Sequence, residues 1–162
     1  MSPSNKIPHL LYRLMNGELP ASLQPKIYWV LIGTNDARMG CSSDVIAAGN
    51  IRIVQELQRH SSTRIPVVVN SLLPRGTQAL SSPRNALWRI LSTANQQLAC
   101  YAALKPDVFF ANVTDKFVVT RPDGSVMIHP ERFSKDNLHT SALGSLVWQE
   151  FISDKANSLL AA

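Results

Sequence analysis

The chain has 162 residues, of which 45% are hydrophobic and 17% charged, a balance that makes one globular domain over residues 1–162 and excludes a disordered chain. Gly 7 and Pro 10 exclude collagen-like or low-complexity sequence, and two cysteines, Cys41 and Cys100, cannot build a disulfide framework or a four-cysteine zinc site. The net charge of +5 is carried by basic residues spread singly, which reads as scattered surface charge and not as a nucleic-acid stripe. No apolar run approaches the roughly 18 residues of a membrane span, and the N-terminus has no secretory signal, so a cytoplasmic protein is expected.

In chain order, residues 8–15 form a short helix stopped by Gly17, and residues 26–32 form a continuous β-branched and aromatic run, the pattern of a strand buried on both faces. Ser42, Ser43 and Asp44 cap a helix whose apolar positions Ala47, Ile51, Val54 and Leu57 recur at steps of three and four. A second strand is predicted over residues 66–73. Ser82 followed by Pro83 opens a helix through Leu87, Ile90, Leu91 and Leu98 toward Leu104. A third strand spans residues 107–113, and residues 117–127, centred on Pro122, Asp123 and Gly124, read as a hairpin. A last helix covers residues 141–156. Strand–helix alternation of this kind predicts an α/β sandwich with a mainly parallel sheet, although three strands are few for that architecture.

In an open parallel sheet, ligands bind beyond the carboxyl ends of the strands. The first strand runs out into Gly33-Thr34-Asn35-Asp36, which leaves the Asn35 amide at the rim. The second runs out into Leu72-Leu73-Pro74-Arg75-Gly76, where Arg75 either reaches an anionic group or holds its own loop. Before the last helix, Asp136 lies three residues ahead of His139, close enough to fix the imidazole tautomer and stabilise its charge. Taken singly, Asn35, Asp36 and Asp136 serve equally well as turn or cap residues, and His139 as a surface histidine. Cys41 reads as a bystander thiol and Cys100 as core. His60 and His129 lack ligand-spaced partners, and Trp29, Trp88 and Trp148 read as packing residues.

Taken together, the three loops resemble the SGNH hydrolases, also called GDSL-type esterases, and most nearly the platelet-activating-factor acetylhydrolase catalytic subunits. The stretch over residues 9–19 is similar to the helix that precedes the family's Asn-bearing strand, and the resemblance spans about residues 9–150. It implies a three-layer α/β/α flavodoxin-like fold and an acyl-enzyme ester hydrolase acting on a small-molecule ester, with no cofactor, no metal and no nucleic-acid partner. By the same resemblance His139 is the general base, Asp136 its orienting acid and Asn35 an oxyanion donor, with Gly33, Thr34 and Asp36 beside the substrate. The family's nucleophile lies in a Gly-Asp-Ser segment that this sequence does not contain, and its oxyanion glycine falls near Asn5. The expectation is therefore a fold lacking its first strand–helix unit, inactive as it stands. Its strand over residues 26–32 would lie on an open edge that self-associates or binds a partner strand, the alternative being a catalytically dead interaction module. Ser2 and Ser4 are poor substitutes for the nucleophile because a chain terminus rarely holds a hydroxyl against a base.

Overall fold

The computed structural model describes residues 5–60, 64–76, 78–82 and 85–161. Three short strands, β1 (Tyr28–Val30), β2 (Val67–Asn70) and β3 (Val108–Ala111), form a parallel sheet in the order β1-β2-β3. Tyr28 pairs with Val67, and Val67 in turn with Val108. Around the sheet lie α1 (Ile7–Met15), α2 (Thr34–Arg38), α3 (Ser43–His60), α4 (Ala86–Ala103) and α5 (Ala142–Leu160). A hairpin of β4 (Val118–Thr120) and β5 (Val126–Ile128) pairs antiparallel, as its Pro-Asp-Gly centre predicts. The α/β class and the parallel sheet are as the sequence predicts. No helix among the described residues is long and apolar enough to cross a membrane.

Only the central strand is buried throughout. Val67 and Val69 face one way, into a core shared with Ile46, Ile53, Val54, Leu91 and Leu98 of α3 and α4. Val68 and Asn70 alternate to the other face, where Trp148 of α5 reaches the sheet. The run over residues 26–32 is therefore less buried than its composition suggests. Tyr28 and Trp29 are half-buried, Leu31 is 40% exposed, and among the described residues no strand pairs with the outer edge of β1. A second core gathers Leu73, Val113, Phe117, Ile128 and Phe133 under the hairpin, with Phe117 edge-on to both Phe133 and Trp148.

Two helix boundaries and the burial of Cys100 also differ from the sequence reading. α4 begins at Ala86, capped by the Asn85 side chain, which accepts from the Trp88 N–H at 3.0 Å; Asn85 is the better cap here because Ser82 lies a turn too early. Pro83 lies outside the described residues. α5 starts where expected, with Ser141 as N-cap, but continues to Leu160. Cys100 is exposed and not core, because α4 turns Leu91, Ala94, Asn95, Leu98 and Ala102 inward and leaves Cys100 on the opposite face.

Gly144 is the one described α5 residue that is buried, and a Cβ there would overlap the backbone carbonyl of Arg132. Helix and loop touch backbone to backbone at this point, so the clash has no flexible side chain to absorb it. Gly144→Ala is expected to lower stability by about 2–3 kcal/mol despite the better helix propensity of alanine, read as a fall in the thermal midpoint. An unchanged midpoint would mean that α5 is not seated against this loop.

Candidate active site

Each strand of the sheet hands its chain to a loop at the carboxyl end, and buried polar side chains hold those loops. Asn50 of α3 donates to the Ile32 carbonyl at 3.1 Å, fixing the exit of β1. Asn95 of α4 closes a two-way bond with Leu72, accepting its N–H at 2.7 Å and donating to its carbonyl at 2.9 Å. Ser71 Oγ accepts from the N–H groups of Val113 and Thr114 after β3, at 3.0 and 3.2 Å. These bonds replace the sheet ladder where it ends, so the loops leave the strands in one fixed direction.

The exit of β1 turns at Gly33, whose φ of 127° is open to glycine, and enters α2 at once. A Cβ at Gly33 would press on Ile46, so this residue shapes the turn and does not line the cavity. Asn35 lies in the first turn of α2. Its Oδ1 accepts from Arg75 Nη1 at 3.3 Å and its Nδ2 donates to the Asn5 carbonyl at 3.0 Å, so both ends of the amide are oriented. Asp36 points the other way. It is buried, and both carboxylate oxygens accept the Ile7 N–H at 3.2 Å, which places it at the start of α1 and away from the cavity.

The His139 turn is built by its own sequence. Asp136 Oδ1 accepts from the Leu138 and His139 N–H groups, both at 3.0 Å, and Asn137 between them adopts a φ of 49°, which asparagine tolerates. The other oxygen, Oδ2, lies 2.6 Å from His139 Nδ1. This bond first, and then the two N–H donors, hold the Asp136 carboxyl down to about 2. With Nδ1 occupied, Nε2 is the ring nitrogen left for a substrate or a water. The turn is joined to the loop after β2 by a bond from the Gly76 N–H to the Asn137 carbonyl at 3.1 Å.

His139, Asn35, Thr34 and Arg75 thus come together around one cavity of about 520 Å³, with Asp136 behind His139. Its further walls include Asn5, Arg38, Leu138, Thr140 and Trp148. Trp148 had only a packing role in the sequence reading. Its indole and that of Trp29 both donate to Asn70 Oδ1 at 3.1 Å, and no short-range pattern signals a partner 78 residues away. The lining includes the hydroxyl-bearing Thr34 and Thr140 but no described serine, and Ser2 and Ser4 lie outside the described residues.

No family model and no curated protein matches the sequence. Solved structures do. A GDSL-like lipase from Bacteroides thetaiotaomicron is similar at 18% identity and a TM-score of 0.73, over 95% of this chain and 72% of that one. A proposed acylhydrolase from Bacteroides fragilis is similar at 18% identity and a TM-score of 0.74, over 96% of this chain and 72% of that one. A proposed platelet activating factor from Streptococcus pneumonia is similar at 21% identity and a TM-score of 0.73, over 93% of this chain and 68% of that one. At these identities the likeness is one of architecture: the chain has the α/β fold of the GDSL/SGNH hydrolases.

Proposed function

We propose that the cavity is the acid–base and oxyanion part of an ester hydrolase of the SGNH type, with His139 as base, Asp136 as its orienting carboxylate and Asn35 as an oxyanion donor. The observation that carries this reading is the 2.6 Å Asp136–His139 bond on the same cavity as the oriented Asn35 amide. Asp136 fixes the tautomer and stabilises the imidazolium that forms when Nε2 takes a proton. The second Nδ2 hydrogen of Asn35 is the one available to an oxyanion, since the first is given to the Asn5 carbonyl. Thr34, beside Asn35, touches the substrate. Gly33 acts by setting the turn, and Asp36 belongs to the seat of α1.

No described serine lines this cavity. In this reading the acyl-enzyme step is missing from the chain by itself, and His139 activates water directly, a slower route. The 162-residue chain is expected to hydrolyse p-nitrophenyl acetate weakly, and His139→Ala to lower that residual rate about 10²-fold, the usual scale of a positioned general base. His139 is exposed, so the folding transition of the variant stays in place. A residual rate indifferent to His139 would overturn the ester reading, while rapid turnover with phosphonate labelling of a serine would overturn the missing nucleophile.

The depressed Asp136 carboxyl gives a second test. A folded value of about 2, below the ordinary 3.8, means that the contribution of the Asp136 carboxylate and its three hydrogen bonds to the turn is fully present above pH 3.8 and is lost as the pH falls through about 2. The side-chain carboxyl carbon of Asp136, followed by NMR, is expected to titrate at about 2; titration near 3.8 would show that the turn, with its His139 ring bond and its two N–H donors, is not formed in solution.

A second reading, an interaction module, is favoured by the outer edge of β1, which no strand pairs among the described residues, with Leu31 beside it. It expects the chain to gain mass with concentration in light scattering, and a monomer that unfolds cooperatively at every concentration would remove it.

A further inference from the structure

The charge of the cavity is one-sided. Arg38, from the last turn of α2, and Arg75, from the loop after β2, both line it, and among the described residues no Asp or Glu does. Neither arginine is in an ion pair among the described residues. The nearby carboxylate, Asp136, acts on Arg75 only at a distance. Both of its oxygens are taken by the His139 ring and by the N–H groups of Leu138 and His139.

Arg75 is the unusual member. It is 7% exposed, yet its partners are neutral: the Thr34 carbonyl at 3.4 Å and Asn35 Oδ1 at 3.3 Å, both long for a guanidinium. A guanidinium with part of its hydration lost and no counter-charge is unfavourable even where it faces a cavity, and a second cation facing the same space makes it more so. Burial, and then Arg38, push the Arg75 guanidinium below its usual range; a bound anion would oppose both effects. Guanidinium groups also match the fork of a carboxylate or phosphate better than any other side chain.

We infer that the cavity takes an ester bearing a second, anionic group, a carboxylate or a phosphate, which Arg75 and Arg38 bind while the ester carbonyl lies against Asn35 and His139. The inference rests on the ester reading for the reaction, whereas the anion binding stands on the two arginines. It makes the pocket selective by charge: a neutral ester of the same shape leaves the Arg75 guanidinium without the partner its burial calls for.

The test compares two probes that differ in one charge, monomethyl succinate and dimethyl succinate, with inorganic phosphate as a third. Binding to the 162-residue chain is read from the amide shifts of Thr34, Asn35, Gly76 and His139. The monoester is expected to bind at least about tenfold more tightly than the diester, with an affinity that falls as salt is raised. Arg38→Gln and Arg75→Gln are each expected to weaken it about three- to tenfold. Arg38 is exposed, so its variant keeps the test valid even if Arg75→Gln disturbs the loop. Phosphate binding more tightly than the monoester would assign a phosphate-bearing substrate, and the reverse order a carboxylate. Equal affinity for monoester and diester, no binding of either anion, or anion binding that survives both substitutions would overturn the inference. A chain that shows His139-dependent hydrolysis but binds no anion overturns this inference alone. One that binds the anions but shows no such hydrolysis overturns the ester reading alone.

Discussion

The structure depends on how the parallel ladder is closed at its carboxyl end. Strands of three and four residues leave unpaired N–H and carbonyl groups just where the chain must turn into its functional loops. Asn50, Asn95 and Ser71 satisfy them from within the core, and each of the three is nearly inaccessible to water. An apolar residue at any of these positions would pack, but it would leave buried backbone polar groups without partners, each at about 1–3 kcal/mol. The polar core is therefore the device by which helices on one face set the direction of loops on another.

From that constraint the site follows in two halves. One half is rigid and buried: α2 is held between Gly33 and the Asp36–Ile7 contact, and Arg75 is folded over Asn35. The other half is an exposed, self-contained turn in which Asp136 organises its own backbone and the ring of His139. Among the described residues, a single backbone bond, Gly76 to Asn137, ties the halves together. The division suits the roles proposed for the two halves, a base that exchanges protons with water and an oxyanion donor that stays in place.

Much of this was legible in the sequence. The strands, the hairpin and the long helices follow from period and turn chemistry; Asn35 stands just beyond β1, where a parallel sheet puts its ligands, and Asp136 and His139 stand on the turn before α5. Other features were not legible, and for identifiable reasons. The five-residue α2 is too short to show a period, and Thr34, Asn35 and Asp36 read equally well as a turn. Asp36 looked like part of the rim because its partner, the Ile7 N–H, lies 29 residues away. Cys100 sits in an apolar stretch of α4 and faces solvent, which only the packing of that helix against α3 decides.

By itself the sequence determined the α/β class, the order of the strands and of the other helices, the Asp136–His139 turn and the residues offered at the strand ends, since all of these follow from local pattern and short-range bonding. The tertiary structure decided which of those residues meet. It turned Asp36 inward and Asn35 outward, left β1 at an edge, anchored Trp148 on Asn70 and set two arginines over one cavity. Those outcomes depend on contacts between residues 29 to 78 positions apart, and no local propensity encodes a contact of that range.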